Sequence, residues 1–396
     1  MERDGGEFAG FGDSILVDSV RRPLRQFALA RELAKSRRLV REHIPDGPGV
    51  YGWLDREQRL VYVGKSKSLR ARLQGYFLRE PNDPKMARIR QASTRLIWEP
   101  ISHELLALIR EQELIFRWRP LFNRQGQPQR RKPGFVCVTG GSAPRIVMSH
   151  RRLPLATACF GPILGTGQLR AAVDCLNYAF GLRDCAERVR MHMTSQLPLL
   201  EDLRSAQCLR YELQSCLGPC AGGCTPHAYQ AAVNAALQFL RGEDRERLNR
   251  LESEIADAIQ RLAFERAAVL HSQYAALLWL WKRLAHWRSA RGQIDGAFPV
   301  PTFAGRAVHV ILREGTLVGY ATHPRARSVT LPRSLKKLER EDDALEMEIF
   351  LIISSWFRKN RDQLLRIQPR AQRNEPAAKS TSVSPGVDTA PLRETA

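Results

Sequence analysis

Two short apolar runs separated by a few polar residues constrain the fold of this chain most strongly. Residues 49–54 and 60–64 are rich in Val, Leu and Tyr, whereas residues 55–59 between them are mainly polar. Two such runs joined by a short polar turn predict a β-hairpin. Gly64, at the end of the second run, permits an unusual backbone angle or a close approach of another group. The hairpin is therefore predicted to end where the chain can come close to a ligand.

A basic loop and two helical segments follow the hairpin. Ser68 is a suitable N-cap for a helix over 69–77, and apolar residues at helical spacing predict a second helix over 104–118. Arg72 lies beside the apolar stripe of the first helix, and Glu111 lies on or next to the apolar face of the second. Tyrosines in hairpins usually serve packing, and single charged residues on helices are usually solvated. None of these residues indicates a function alone, but their joint order does.

The charge of the chain indicates a polyanionic partner. Its 396 residues include 62 Lys and Arg against 41 Asp and Glu, which gives a net charge of +21. A protein this basic is expected to meet nucleic acid or an anionic membrane. No apolar run approaches the ~20 residues that span a bilayer, and the N-terminus does not lead into the apolar core of a signal peptide. These observations predict a cytoplasmic protein that binds nucleic acid.

The order of the hairpin, loop and helix residues resembles the GIY-YIG nuclease superfamily, and within it the first domain of the UvrC excision-repair nucleases. The matching segments are 48–51, 61–65, 69–72, 76–77 and 119–123, together with Glu111. A hairpin, a loop lysine, a helical arginine and a helical glutamate recur in register, which makes the resemblance specific. One departure is Leu106, where the family often has an acidic residue that is not the metal ligand.

The resemblance implies a role for each residue of this set. Glu111 would bind one divalent cation, Mg²⁺ or Mn²⁺, and Arg72 would stabilise the negative charge that grows on the attacked phosphate. Tyr62 or Tyr51 would help to deprotonate the attacking water, with Lys65 tuning the local charge. The choice between the two tyrosines stays open. The residues expected to contact DNA are Lys65, Lys67, Arg70 and Asn123.

Cysteines crowd the segment that follows. Eight are present in the chain, and four of them lie within residues 208–224. In a reducing cytosol such crowding indicates a metal or cluster site more often than disulfides. The Cys-Leu-x-Tyr and Cys-x-x-Pro-Cys sequences resemble the cysteine region of UvrC proteins, which implies a [4Fe-4S] cluster held by Cys185, Cys208, Cys216 and Cys220. A tetrathiolate Zn²⁺ site and unligated buried cysteines are the alternatives, and Cys224 is additional to the pattern.

A helical hairpin is predicted farther along the chain. Residues 248–280 have the apolar spacing of an antiparallel helical pair, and residues 264–270 resemble the UVR motif, by which UvrC pairs with the UvrB subunit. The Arg-Asp pair that usually follows is replaced here by His271 and Ser272, and an ordinary core helix pair is the alternative interpretation. The residues implied in partner binding are Phe264, Glu265, Ala267 and Ala268.

The predicted fold class is α/β: a small mixed-sheet GIY-YIG domain, a cysteine-ligated module and an α-helical hairpin. Seven segments are predicted. They are a basic N-terminal extension (1–43), the nuclease domain (44–125), a strand-rich connection (126–182), the cysteine module (183–245), the UVR-like hairpin (246–288), a partial UvrC-like region (300–368) and a disordered tail (369–396).

The resemblance implies a metal-dependent endonuclease that makes the 3′-side incision at damaged duplex DNA, with UvrB, and UvrA upstream of it, as partners. The ribonuclease-H-like second nuclease and the helix-hairpin-helix region of full-length UvrC have no counterpart in the sequence, as in the truncated Cho relatives. Two alternatives remain at this stage. One is a catalytically idle DNA-binding or scaffold protein of the same fold, and the other is a GIY-YIG nuclease that acts outside repair.

Overall fold

The computed structural model describes residues 25–79, 83–123, 133–193, 208–303, 307–321 and 343–369, together with Phe8, Gly10, Phe11, Gly305 and His323. Within this part of the chain the fold is mixed α/β, with three small antiparallel sheets and helices packed around them. No helix of the described residues is long and apolar enough to cross a membrane. The predicted tail from residue 370 onwards lies outside the described residues.

The first sheet contains the predicted hairpin. Its strands are β1 (Arg25–Ala28), β2 (Gly49–Leu54), β3 (Leu60–Ser66) and β4 (Arg95–Pro100), hydrogen-bonded in the order β1-β4-β2-β3. Every pairing is antiparallel. The Asp55 carboxylate closes the β2–β3 turn, because it accepts from both the backbone N–H and the side chain of Arg59. The hairpin predicted from the two apolar runs is therefore confirmed.

Helices cover both faces of this sheet. Side chains alternate along β2, so Val50 and Leu54 enter one hydrophobic core while Tyr51 and Trp53 enter another. The helices of this unit are α1 (Leu33–His43), α2 (Leu69–Tyr76), α3 (Pro84–Gln91) and α4 (Glu104–Trp118). Helix α2 begins where predicted, with the Ser68 side chain accepting from the Ala71 N–H. The second core, beneath α1 to α3, contains Tyr51 and is contacted by Tyr62.

The described part of residues 1–43, predicted as a basic N-terminal extension, is built into the first sheet and its second core. Strand β1 forms the edge of the first sheet by pairing with β4, and Val40 on α1 is fully buried in the second core. Phe8 also packs edge-to-face against Trp118. The dense positive charge of this stretch lies on the outward side of α1. Its apolar side completes the unit built on the first sheet, which contains the predicted nuclease domain and is called the nuclease unit for that reason.

The middle of the chain forms a second sheet with one covering helix. Strands β5 (Gly134–Val138), β6 (Ile146–Ser149) and β7 (Ala158–Ile163) lie in the order β6-β5-β7, followed by α5 (Thr166–Ala179). The buried Asn177 side chain joins α5 to β6, because it accepts from the Ile146 N–H and donates to the Ile146 carbonyl. A disulfide links Cys137 and Cys159, which face each other across β5 and β7.

The remaining helices carry the cysteine segment into the predicted hairpin. Short α6 (Leu209–Glu212) is followed by α7 (Pro226–Arg241), α8 (Glu246–Gln260) and the 30-residue α9 (Phe264–Gln293). Helices α8 and α9 pack along each other after a short turn that contains Leu262, whose φ is 59°. The helical pair predicted over residues 248–280 is present, and α9 continues past it to residue 293.

A third sheet and a helix close the described chain against the nuclease unit. Strands β8 (Gly296–Pro301), β9 (Ala307–Arg313) and β10 (Thr316–Ala321) lie in the order β10-β9-β8, and α10 (Asp343–Lys359) and α11 (Arg361–Leu364) follow. Helix α10 packs on α4. His103, the N-cap of α4, lies edge-on to Phe298 of β8 and Trp356 of α10, with ring centroids 5.5 and 5.7 Å away.

His103 is held neutral at this junction. Burial, together with the charge of Arg366, lowers its pKa to about 4. The neutral ring keeps a lone pair on Nδ1, which accepts from the Leu105 N–H at 3.2 Å and caps the first turn of α4. The C-terminal unit therefore contacts the nuclease unit at the beginning of the helix that carries Glu111.

A buried ion-pair network fixes the other end of α4. The Arg110 side chain is 1% exposed and pairs with Glu113, which is 2% exposed, and with Glu99 on β4. Its guanidinium also donates to the Phe11 carbonyl, and Arg117 pairs with the second oxygen of Glu113. Buried charges are tolerated only when they are paired and hydrogen-bonded, and here helix, sheet and N-terminal segment all contribute partners.

We expect Arg110→Ala to lower the free energy of unfolding by about 3–5 kcal/mol, because it leaves the buried Glu113 carboxylate without its closest partner. Urea unfolding followed by circular dichroism measures the change. The matched control is Arg38→Ala, which removes an exposed i,i+4 pair with Glu42 and should leave the unfolding free energy essentially unchanged. A loss no larger than that of the control would show that the network does not brace the domain.

Candidate active site

Three tyrosines and an arginine meet where β2, β3 and α2 come together. The Tyr51 hydroxyl lies 3.1 Å from the Tyr76 hydroxyl, and the Arg72 Nε donates to the Tyr51 oxygen at 3.3 Å. The ring centroids of Tyr51 and Tyr62 are 6.1 Å apart. Arg72 and Tyr76 stand four residues apart on α2, which places them on the same helical face. The structure thus gathers residues that are spread over 26 positions of the sequence.

Gly64 makes this close packing possible. A Cβ atom at this position would lie 2.6 Å from the Tyr51 hydroxyl and 3.0 Å from a ring carbon of Tyr62. Any larger residue on this part of β3 would push the two rings apart. The close approach expected for this glycine is therefore made by the tyrosines themselves.

Burial keeps the three phenols protonated. It is the main cause that raises the pKa of Tyr51, Tyr62 and Tyr76 above the ordinary value of 10. Tyr51 is only 1% exposed and its hydroxyl is shared between Tyr76 and Arg72, whereas Tyr62 is half-buried. Of the two candidate tyrosines, Tyr62 is the one that solvent can reach.

Glu111 faces the end of β3 from the neighbouring helix α4. Its Oε1 accepts from the backbone N–H of Lys65 at 3.0 Å. Burial raises the pKa of this carboxyl to about 7, even though the Lys65 N–H and the charges of Lys65, Arg72 and Lys85 act in the opposite direction. The carboxylate is thus half-buried among cations that converge from β3, α2 and α3.

Lys65 is held in place by Glu104, an acidic residue on α4, the helix that also carries Glu111. Its Nζ lies 3.0 Å from one oxygen of Glu104, whose other oxygen lies 3.0 Å from the Nζ of Lys67. Burial opposes ionisation of Glu104, but the two lysines outweigh it and lower its pKa. Lys67 is exposed, whereas Lys65 lies between Glu104 and the Glu111 site. The loop lysine is therefore oriented by the first turn of α4.

Two of the residues expected to contact DNA have other partners. The Asn123 side chain is buried, accepts from the Val63 N–H at 2.8 Å and donates to the Val63 carbonyl at 2.7 Å. The assignment of Asn123 to DNA is therefore corrected: its amide fastens the end of the nuclease segment to β3. The Arg70 Nε donates to the Ile44 carbonyl after α1, so part of its guanidinium serves packing.

Three further residues belong to the site but are absent from the sequence-based set. They are Tyr76, Lys85 and Glu104, which contact Tyr51, Tyr62 and Lys65 respectively. Helical spacing could have found two of them, because Tyr76 follows Arg72 by four residues and Glu104 precedes Glu111 by seven. Lys85 carries no such signal, since its Nζ reaches the Tyr62 ring, 5.0 Å from the centroid, from a separate helix.

The four cysteines of the predicted cluster come together around the end of α5 and the loop before α7. Burial first, and then the charges of the Cys208 and Cys185 thiols, raise the pKa of both Cys216 and Cys220. The Gly218 N–H donates to the Cys216 sulfur at 3.5 Å, and Arg183 donates to the Cys185 sulfur at 3.6 Å. Two of the four sulfurs, those of Cys216 and Cys185, therefore already accept weak hydrogen bonds.

Among the residues that the structure describes, no three His, Cys, Asp or Glu side chains are placed to hold one metal ion. The [4Fe-4S] cluster expected at these four cysteines therefore stays a prediction, as does its tetrathiolate Zn²⁺ alternative.

The tip of the α8–α9 hairpin exposes apolar side chains. Leu262 is 73% exposed and Phe264 is 62% exposed, and Val269 on the next turns of α9 is also exposed. Glu265 and Ala268 are likewise exposed, whereas Ala267 is buried in the hairpin. Of the four residues expected to bind a partner, the structure leaves three at the surface.

Comparisons with known proteins agree with this geometry. Residues 47–124 match the family described as the UvrC-like GIY-YIG domain, and residues 135–239 match the middle domain of UvrC/Cho excinucleases. Residues 47–124 are thus a GIY-YIG domain. It is of the UvrC type, and with the middle domain behind it the chain is UvrC-like from residue 47 to residue 239.

The similar curated proteins and solved structures are UvrC proteins as well. UvrABC system protein C of Pseudomonas entomophila is 32% identical over 277 residues, and that of Pseudomonas aeruginosa 31% identical over 280, each match covering 69% of this chain and 43% of the relative. The chain thus spans less than half the length of the curated relatives it matches. Among solved structures, the chain is similar to the GIY-YIG N-terminal endonuclease domain of Thermotoga maritima UvrC, solved with its catalytic divalent cation magnesium. The two are 30% identical with a TM-score of 0.21, and the match covers 24% of this chain and 99% of the Thermotoga chain.

The raised pKa of Glu111 predicts a cost to stability that depends on pH. The folded protein keeps this proton up to about pH 7, whereas the unfolded chain releases it near 4.5. The folded state therefore binds more protons in that window, and stability falls as the pH rises through it. We expect Glu111→Gln, measured in EDTA, to unfold less readily than the parent, by a margin that grows on the order of 2 kcal/mol between pH 5 and pH 8.

Thermal unfolding at the two pH values tests this expectation. The control is Glu104→Gln, which should have the opposite sign, because the lowered pKa of Glu104 means that its ionised form stabilises the fold above the unfolded value. An identical pH profile for Glu111→Gln and the parent would show that the carboxyl is not desolvated in the fold.

Proposed function

We propose that this chain is a metal-dependent endonuclease that hydrolyses one phosphodiester bond of damaged duplex DNA on the 3′ side of the lesion. The observation that carries the proposal is the convergence of Tyr62, Lys65, Arg72 and Glu111 at one edge of a UvrC-like GIY-YIG domain. These residues supply a carboxylate, two cations and a phenol within one site. Phosphodiester hydrolysis needs that combination, since it must neutralise an anionic transition state and activate water.

Arg72 is the residue that stabilises charge on the attacked phosphate. Arg72 is exposed, although its Nε donates a hydrogen bond to the Tyr51 hydroxyl. The rest of the guanidinium therefore faces solvent from a fixed position. The Tyr51–Tyr76 hydroxyl pair therefore acts behind Arg72 as its support. A donor that is already oriented stabilises developing charge without reorganising during the reaction.

Tyr62 is the phenol that orients the attacking water, and it takes the proton of that water as its own proton passes to the solvent that reaches this side chain. It is more exposed than Tyr51, and the Lys85 ammonium above its ring favours any negative charge that develops on its oxygen. Because burial raises its pKa, this phenol does not reach the reaction as a resting phenolate. Lys65, held by Glu104, adds a second positive charge close to Glu111.

Glu111 is the side chain that would hold the divalent cation. A single carboxylate suits Mg²⁺, which keeps several waters and takes only one or two protein ligands. The ion would supply Lewis-acid stabilisation of the phosphate and leaving oxygens. The protein's part is to keep the carboxylate desolvated, hydrogen-bonded to the Lys65 N–H and flanked by cations that also attract DNA phosphates.

We expect Glu111→Ala to abolish Mg²⁺-dependent nicking while DNA affinity changes little, and Arg72→Ala to slow nicking by about 10²- to 10³-fold. The assay is single-turnover nick mapping on a duplex with one lesion, with and without UvrA and UvrB. Arg38→Ala, an exposed arginine on α1, serves as the control for loss of one positive charge. Undiminished cleavage by Glu111→Ala would contradict the mechanism.

The same assay separates the alternative functions. A nick at a fixed distance 3′ to the lesion supports incision in excision repair. Nicks that ignore the lesion would instead place this nuclease outside repair. Binding without any nick, by a folded parent protein in Mg²⁺ and Mn²⁺, would favour an idle scaffold and overturn the proposal.

Cys185, Cys208, Cys216 and Cys220 would hold a [4Fe-4S] cluster. The cysteine sequences that resemble those of UvrC proteins, the influence of the Cys185 and Cys208 thiols on the pKa of Cys216 and Cys220, and the hydrogen bonds to the Cys216 and Cys185 sulfurs support this assignment. The cluster would be structural, because it would tie the end of α5 to the segment that leads into α7, while nuclease chemistry moves no electrons. Cys224 lies farther along the same loop, and burial raises its pKa to about 11, which disfavours a resting thiolate.

Protein purified without oxygen should be brown and should contain about four iron and four sulfide per chain. Cys216→Ser should remove the colour and destabilise residues 183–224 while the nuclease unit stays folded. Cys175→Ser, on α5, is the control and should retain the iron. One zinc per colourless chain would instead favour the tetrathiolate alternative.

The hairpin tip would pair with UvrB. Its exposed Phe264 and Leu262 offer an apolar surface of the kind that partners bury, and Glu265 stands beside them at the surface. His271 and Ser272 depart from the UVR motif and weaken the sequence evidence for pairing with UvrB. The exposure of the apolar tip supports this pairing independently of the motif.

We expect Phe264→Asp to weaken capture of purified UvrB at least tenfold in surface plasmon resonance, since it places a charge on the apolar tip. Leu155→Asp is the control, because Leu155 is 90% exposed on the loop between β6 and β7, outside the hairpin, and should not affect the interaction. Equal affinity of the two variants would remove the hairpin tip from the partner interface.

A further inference from the structure

A cavity of about 410 Å³ opens between the middle sheet, the end of α9 and the third sheet, away from the residues of the proposed nuclease site. Its apolar lining consists of Phe135, Trp287, Met347 and Phe350. Three arginines, Arg152, Arg291 and Arg313, line the same space. Two glutamates, Glu314 and Glu346, also line it. The cavity therefore combines an apolar floor with an excess of one positive charge.

The rim that carries Arg313 is a rigid turn. Glu314 and Gly315 connect β9 to β10 with φ values of 48° and 80°, the left-handed pair that a two-residue hairpin turn requires. The Gly315 N–H donates to the Ile294 carbonyl, and a Cβ on Gly315 would lie 2.7 Å from the Phe350 ring. The Thr316 hydroxyl donates to the Arg313 carbonyl at 2.7 Å. The backbone of Arg313 is thus fixed beside the cavity.

The other two arginines are held over aromatic rings. The guanidinium of Arg152 lies 5.6 Å from the centroid of Phe135, and that of Arg291 lies 4.8 Å from the centroid of Trp287. Such cation–π contacts orient a guanidinium without consuming its N–H donors. Arg291 is also paired with Glu314, whereas no hydrogen bond or ion pair of the Arg152 or Arg313 guanidinium is seen among the described residues.

The arginines oppose one another electrostatically. Burial, together with the charge of Arg152, lowers the pKa of Arg291. Glu314 offsets Arg291, and Glu346 at the surface offsets at most one of the other two cations. Planar guanidinium groups match the oxygens of phosphate in bidentate fashion. An anion with several oxygens would therefore satisfy the N–H groups that the protein leaves open.

We propose that this cavity binds a phosphate ester with a compact apolar body, a single nucleotide unit, either free or within a single strand of DNA. Arg152 and Arg313 contact the phosphate, and Met347 and Phe350 contact the base or sugar. The size of the cavity, at the lower end of the 300–1,000 Å³ typical of ligand sites, admits one such unit and excludes a duplex. The site is separate from the nuclease residues, so its test does not depend on cleavage.

Binding is measured with three probes: inorganic phosphate and thymidine 5′-monophosphate by calorimetry, and a fluorescent ten-nucleotide oligothymidine by anisotropy. We expect the double variant Arg152→Ala/Arg313→Ala to bind the nucleotide-containing probe at least tenfold more weakly. The matched control is Arg170→Ala/Arg241→Ala, which removes the same charge from exposed positions on α5 and α7. Glu346→Gln should strengthen binding severalfold, because it removes a carboxylate from the lining.

The probes distinguish the source of the phosphate. A loss confined to the oligonucleotide assigns the site to a DNA strand, and a loss that includes the mononucleotide assigns it to a free nucleotide. Equal binding of every probe by the cavity variant and the control variant, with no gain in Glu346→Gln, would overturn the proposal. Because Glu346→Gln removes no packing contact, its gain of affinity remains measurable even if the double variant folds poorly.

Discussion

The buried guanidinium of Arg110 is the interaction on which the nuclease unit depends. It binds Glu113 on its own helix, Glu99 on β4 and the Phe11 carbonyl, so that α4, the first sheet and the N-terminal segment share one charged centre. Glu111, the next residue, lies about 100° around the helix axis and meets β3. Since ion pairs of this kind require good geometry, the network fixes the rotation of α4 about its axis. That rotation decides whether the Glu111 carboxylate faces the tyrosines.

Burial in the site disfavours the charged form of four groups. Glu111 is desolvated, and three phenols are packed where ionisation is costly. Gly64 allows the rings to approach, and Glu104 fixes Lys65. A cation bound by the ionised Glu111 carboxylate would offset the cost of desolvating it, because a ligand that binds only the folded state stabilises that state.

Local patterns were sufficient to predict the hairpin and the two helices over residues 69–77 and 104–118. Tyr62, Arg72 and Glu111 were identified in another way, because their joint order along the hairpin and these helices resembles the GIY-YIG family. The pairing of β1 with β4 was not predictable, because the partners are about 70 residues apart and a short basic stretch carries little strand signal. The role of Asn123 was missed for the same reason: its amide binds a strand 60 residues earlier. The charge of residues 25–43 concealed the burial of Val40.

The contact of His103 with Phe298 and Trp356 makes the nuclease unit poorly transplantable. The cap of α4 sits beneath aromatic rings that belong to the far end of the described chain, and the next residue, Glu104, orients the loop lysine. A fragment cut after Asn123 would expose the His103 ring to water, where its usual pKa near 6.5 allows it to gain a proton and lose the lone pair that caps the helix. Grafting this domain onto another scaffold would therefore require an aromatic lid of its own.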